Sequence, residues 1–320
     1  MVTRRRGTHG VDGAVDVRRL PRPGPQPTTM GDTETHTGRL MPTWIPMRDR
    51  MTATIALILV LAACGGGTEG LAVVANTQQT LTPGPNRLLM AIVSEEDGSF
   101  LAGPDVPTTA RFFHDGDEVA VVETEWVWAI PDVRGFLVAN VELTAPGRWD
   151  VVLEPEGSPP TAPTPFGVQT SSPVPDVGDP AISTPTRTHP EFPLESISSD
   201  RDPDPRLYEL SLDDALGNGR PTVVAFATPA FCQTASCGPT LDVVRQVMDE
   251  YPGVNWLHVE IYADLEAAAS GRLEAAPAVE AWQLPSEPWV FVIDSDGIVT
   301  ARFEGATGPD ELRRAVENVG

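Results

Sequence analysis

Residues 222–239 read Thr222-Val223-Val224-Ala225-Phe226-Ala227-Thr228-Pro229-Ala230-Phe231-Cys232-Gln233-Thr234-Ala235-Ser236-Cys237-Gly238-Pro239. An apolar run of strand length ends at Ala227. An amphipathic pattern follows Pro239, with Leu241, Val244, Val247, Met248 and Tyr251 on one helical face. Two cysteines stand at that junction, and only one other, Cys64, occurs in the 320 residues. A buried strand feeding a cysteine pair at a helix start suits thiol–disulfide chemistry, because the helix N-terminus favours a thiolate over a thiol.

Beyond this stretch the spacing predicts a short helix over 209–216, a strand over 254–261 and a short helix over 277–283. A fully apolar strand is expected at Trp289–Ile293. The turn Asp294-Ser295-Asp296-Gly297 leads to its hairpin partner at 298–303, and a last helix runs over 309–319. The predicted order is β-α-β-α-β-β-α, a parallel pair first and a hairpin last. An Asp294, Asp296, Gly297 calcium loop is disfavoured because apolar strand follows at once.

Residues 207–320 resemble the thioredoxin-like superfamily. Three local matches carry the resemblance: the strand leading into Cys232 and Cys237, the segment Leu284-Pro285-Ser286-Glu287-Pro288-Trp289, and the closing hairpin and helix. The resemblance implies an α/β fold, a cis-proline at Pro288 packed against the pair, Cys232 as exposed nucleophile and Cys237 as resolving thiol. The best-known pair of that family has two residues between its cysteines, whereas four intervene here. In one continuous helix, Cys232 and Cys237 would lie too far apart for a disulfide, whose α-carbons are about 4.4–6.8 Å apart. Either Cys232 lies in the loop and the helix begins near Cys237, or the pair does not close without movement; the first is expected.

No arginine lies between Arg220 and Arg245, so no cation beside Cys232 is visible in the sequence. Glu287 would oppose a second anion there. No acid lies on Thr222–Ala227 as a buried proton acceptor. These features predict a modest redox protein, a reductant or thiol partner rather than a strong oxidant.

Three other readings compete. Thr228-Pro229-Ala230-Phe231-Cys232 resembles Q-type peroxiredoxins, but their threonine sits three residues before the nucleophile and Thr228 sits four before. Sco-type copper proteins space their cysteines by three residues and add a histidine. His258 lies between Leu257 and Val259 and reads as a strand residue. A structural disulfide in a non-catalytic binding module is the remaining alternative. Neither a cofactor nor a metal is expected, and Glu260, Asp264 and Glu266 read as a solvated rim.

The third cysteine has a different setting. Met47-Arg48-Asp49-Arg50 is a short basic region, Thr52 to Leu61 is mostly apolar, and Leu61-Ala62-Ala63-Cys64 places small residues before a cysteine. This resembles a bacterial lipobox, which implies cleavage before Cys64 and a lipid on its sulfur. Residues 47–63 are thus expected as a lipoprotein signal peptide and residues 64–80 as a tether. Residues 1–46 are a doubtful extension, with the true start expected at Met47 or Met51. The expected location is the extracytoplasmic face of the cell membrane, held there by lipid. That compartment permits disulfides, and the two remaining cysteines are an even number.

Residues 81–154 read as all-β, with strands expected at 87–93, 106–113, 118–128, 136–143 and 148–153, and with Trp126, Trp128 and Trp149 in a sandwich core. The wording Arg134-Gly135-Phe136-Leu137-Val138-Ala139 and Ala145-Pro146-Gly147-Arg148-Trp149-Asp150-Val151 resembles the YtkA-like immunoglobulin-type domains of bacterial membrane-associated proteins. Some of those are linked to copper. Here His114 and Met90 are the only histidine and methionine of the segment, too few for a copper site. Residues 155–206 are rich in Pro, Ser and Thr and are expected as an extended, solvated linker.

The formal net charge is −23, and every one of the 22 basic residues is arginine. Residues 1–63 hold nine arginines and five acids, so the rest of the chain carries −27. Such a surface repels nucleic acid. The expected partners are exported proteins bearing thiols or disulfides, together with the membrane through Cys64.

Overall fold

The computed structural model describes residues 70–319. The expected extension, signal peptide and lipidation site at Cys64 lie outside the described residues. Among the described residues no helix is long and apolar enough to cross a membrane.

The first part is a sandwich of two four-stranded sheets. Its strands are β1 (Gly70–Val74), β2 (Gly84–Ser94), β3 (Thr108–His114), β4 (Asp117–Glu123), β5 (Glu125–Ile130), β6 (Arg134–Leu143), β7 (Gly147–Pro155) and β8 (Thr164–Val168). One sheet has the order β1-β2-β6-β5 and the other β4-β3-β7-β8, and every pairing is antiparallel. Leu88, Met90, Leu137 and Ala139 of the first sheet pack on Phe112, Trp149, Val151 and Phe166 of the second.

Four expectations change here. The tether becomes β1 from Gly70 onward. The single strand expected over 118–128 is two, because the chain changes sheets at Thr124, whose N–H and hydroxyl both donate to the Thr108 carbonyl. Trp149 is fully buried, but Trp126 only flanks the core and Trp128 is exposed, edge-on to Trp126. The fourth concerns residues 155–206, which are docked on the rest of the molecule rather than free, although many of their side chains stay exposed. They form β8, then lie along the second part of the molecule. Gly178 N–H and Val299 N–H reach Val299 and Asp179 carbonyls at 2.8 and 2.9 Å, and the Trp282 indole donates to Ile182 O at 2.9 Å. Val174 and Ile197 anchor the strap in the core. Proline favours the extended backbone either way; spaced apolar residues and a free sheet edge decide that it docks.

The second part continues with α1 (Leu194–Ile197), α2 (Leu212–Gly217), β9 (Thr222–Ala227), α3 (Cys237–Met248), β10 (Asn255–Glu260), α4 (Leu265–Ala269), α5 (Pro277–Ala281), β11 (Trp289–Ile293), β12 (Val299–Glu304) and α6 (Pro309–Glu317). The sheet order is β10-β9-β11-β12; β9 and β10 are parallel, and the other two pairings are antiparallel. Strand alternation sorts the fully buried β9 into two cores. Val223, Ala225 and Ala227 face α3 and α6, while Val224 and Phe226 face α2 and α5. Helices on both faces of this mixed sheet, with a parallel unit first and a hairpin last, give the thioredoxin-like layout that the sequence predicts, with one helix, α4, beyond the predicted order.

The two parts are docked. The Arg87 guanidinium of β2 pairs with Glu311 of α6 through both carboxylate oxygens at 2.7 Å, and also donates to the Glu304 and Ala306 carbonyls. Both side chains are nearly buried, at 8% and 7% exposure, so this ion pair is shielded from solvent. Beside it Ala306 packs among Leu89, Val127, Ala129 and Val138.

Candidate functional site: a disulfide at a helix start

Strand β9 ends at Ala227, and the loop 228–236 carries the chain to α3. Cys232 lies in that loop and Cys237 is the first residue of α3. The two are joined as a disulfide with their α-carbons 6.0 Å apart. Ala235 takes φ 59°, the left-handed turn that brings the loop back onto the helix start. The sequence expectation of Cys232 in the loop and the helix beginning near Cys237 matches this geometry.

The two sulfurs have different surroundings. Cys237 is fully buried in the core shared by β9, α3 and α6. Cys232 is half-buried. Its sulfur accepts the Cys237 backbone N–H at 3.3 Å and lies 3.3 Å from the Thr234 hydroxyl, which is itself 2.7 Å from Ser236 Oγ. These groups sit where a thiolate on Cys232 would need hydrogen bonds, beside the positive end of a twelve-residue helix.

Four further contacts brace the loop. Ser199 Oγ accepts the Ala230 N–H at 3.2 Å, and the Phe231 ring meets Tyr262 edge-on with centroids 5.9 Å apart. The Gln233 N–H faces the Glu287 carboxylate, and burial nonetheless pushes the Glu287 carboxyl above the usual carboxylate range. The Glu287–Pro288 peptide is cis, the isomer that the sequence resemblance implied. The fourth brace is Arg134 of β6, whose guanidinium donates to the Thr234 carbonyl. The sequence shows no cation near Cys232, and the fold brings one from the sandwich, across 100 residues of chain. No local sequence signal marks it.

Behind β9 lies a buried polar cluster. His258 Nδ1 is 2.6 Å from the Tyr208 hydroxyl and Nε2 is 3.0 Å from the Ala227 carbonyl. Burial pushes the His258 imidazole below its ordinary value, against the pull of Glu260. Both ring nitrogens are engaged, so His258 as it stands offers no free metal ligand. Glu260 is buried rather than part of a solvated rim. Its carboxylate accepts the Ser199 N–H at 2.8 Å and the Ile261 N–H at 3.0 Å. The two acids expected with it do different work, since Asp264 caps α4 through the Ala267 N–H and Glu266 lies in the first turn of that helix. Thr228, the residue at issue in the peroxiredoxin reading, is fully buried and its hydroxyl has no partner among the described residues.

No family model matches this sequence, and no curated protein matches it. Similar solved structures include that of MTB dsbF in its mixed oxidized and reduced forms, at 19% identity over 43% of this chain and 96% of that chain, with TM-score 0.31. Another is a putative thiol:disulfide interchange protein DsbE from Chlorobium tepidum, at 15% identity over 45% of this chain and 98% of that chain, with TM-score 0.32. The Lin-41 filamin domain is similar at 15% identity over 32% of this chain and 95% of that chain, with TM-score 0.22.

Proposed function

We propose that this protein exchanges thiols and disulfides with exported proteins through Cys232 and Cys237, as a lipid-anchored, extracytoplasmic thioredoxin-like protein. The observation that carries this reading is the asymmetry of the pair. A half-exposed Cys232 sulfur receives the α3 N-terminal amide, while its partner sulfur on Cys237 is fully buried. In the reduced protein the Cys232 thiolate attacks a substrate disulfide. A mixed disulfide forms, and one substrate sulfur leaves as a thiolate that takes a proton from water. The Cys237 sulfur, after giving up its proton, then attacks Cys232 Sγ and expels the second substrate thiolate. The substrate gains two electrons and the pair becomes the disulfide observed here. The reverse sequence oxidises a substrate dithiol. Pro288 would line the approach to Cys232. The strand order β1-β2-β6-β5 over β4-β3-β7-β8 supports an immunoglobulin-type reading of the sandwich.

Oxidised glutathione tests the reading. The reduced wild type should form the Cys232–Cys237 disulfide and release two glutathiones. Cys237→Ser should stop at glutathione on Cys232, and Cys232→Ser should not react at a comparable rate. Equal reactivity of the two single variants would overturn the assignment of roles.

A further inference from the structure

The sandwich supplies a side chain to the cysteine loop. Arg134 begins β6, at the end of the hairpin with β5. Its position is fixed by close packing: Gly135 faces Trp128 across the pair, and a Cβ added to Gly135 would come within 2.4 Å of the Trp126 ring. Only glycine lets Trp126 lie over the strand beside Arg134. Strand β5 in turn packs against α3. From this platform the Arg134 guanidinium donates to the Thr234 carbonyl, while its Nε is buried and has no hydrogen-bond partner among the described residues. The Thr234 hydroxyl lies on the Cys232 sulfur.

We propose that Arg134 is a positioning residue for the redox pair: by fixing Thr234 it holds that hydroxyl on Cys232 Sγ, so that docking of the sandwich sets the reactivity of Cys232. This rests on the thiol–disulfide reading above. The guanidinium also adds positive charge beside the loop. Both effects favour the thiolate, and therefore the reduced pair. The sandwich is then a working part of the redox centre as well as a spacer from the membrane.

The test uses the intact chain, reduced, with iodoacetamide alkylation of Cys232 followed across pH at low and high salt. Arg134→Gln should lower the thiolate population about threefold at a given pH. The same factor on the redox equilibrium is about 15 mV towards a more reducing couple, from about 30 mV per tenfold. Arg134→Lys should retain part of the effect, and salt should narrow the gap between wild type and Arg134→Gln. Thr234→Val, at an exposed position, should shift the profile in the same direction even if Arg134→Gln folds poorly. The double variant should shift by less than the sum of the two singles. Coincident wild-type and Arg134→Gln profiles, or shifts that add, overturn the proposal while leaving a reversible wild-type couple intact. A wild-type pair that shows no reversible couple overturns the redox reading, and this inference with it.

Discussion

The backbone N–H of Cys237 points at the sulfur of Cys232, 3.3 Å away. The first amide of α3 thus addresses the half-exposed partner of the disulfide, while the sulfur belonging to that first residue is sealed in the core. Two cysteines in one bond therefore present very different chemistry to solvent.

After reduction, Cys232 should react with iodoacetamide at least tenfold faster than Cys237, because thiolate character and access both favour it. Peptide mass mapping after brief alkylation at neutral pH checks this. Equal labelling would mean that the site opens on reduction.

Glu287 bears on both stability and redox behaviour. Its folded carboxyl titrates above its ordinary value of 4.5, with burial as the cause. Its stabilising contribution is present below pH 4.5 and is lost as pH rises through the raised folded value. Glu287→Gln should therefore flatten the stability profile above pH 4.5. It should also raise the Cys232 thiolate population, by ~threefold, because a neighbouring negative charge is gone. Denaturation midpoints across pH and the alkylation profile measure the two effects.

His258 titrates the other way. Burial holds its folded value below the ordinary 6.5, so the unfolded chain binds a proton first as pH falls. Stability should decline below pH 6.5 and level off once pH passes under the lowered folded value. In His258→Asn this part of the acid sensitivity should vanish, although the loss of the Tyr208 and Ala227 contacts lowers stability at every pH. Urea titrations at pH 5 and pH 7.5 separate the slope from the offset.

Arg87 and Glu311 join the two parts of the molecule. Arg87→Ala leaves Glu311 buried without its partner and should destabilise the docked form by about 3–5 kcal/mol. Chemical denaturation measures the loss. Hydrogen exchange at β2 and at the N-terminal turn of α6 should rise together.

What could be read from sequence follows a physical divide. Strands Thr222–Ala227 and Trp289–Ile293 are legible to the residue because unbroken apolar runs bounded by turn residues have one good solution. The helix start at Cys237 is one of two solutions that the reach of a disulfide leaves open, and the structure takes it. The strap over 170–200 was hidden because the same Pro-rich composition suits free chain and docked edge segment alike. Glu260 was misplaced because burial of a carboxylate is set by what its oxygens meet, here the Ser199 and Ile261 amides. Arg134 was out of reach because its contact with Thr234 exists only once the sandwich has docked.

The most direct measurement is the reduction potential of the Cys232–Cys237 pair in the intact chain, equilibrated against glutathione buffers, with Cys232→Ser as control. A reversible two-electron couple is expected in the folded protein, with a slope of about 30 mV per tenfold change. A pair that resists reduction until the domain unfolds would contradict it, and the disulfide would then be structural.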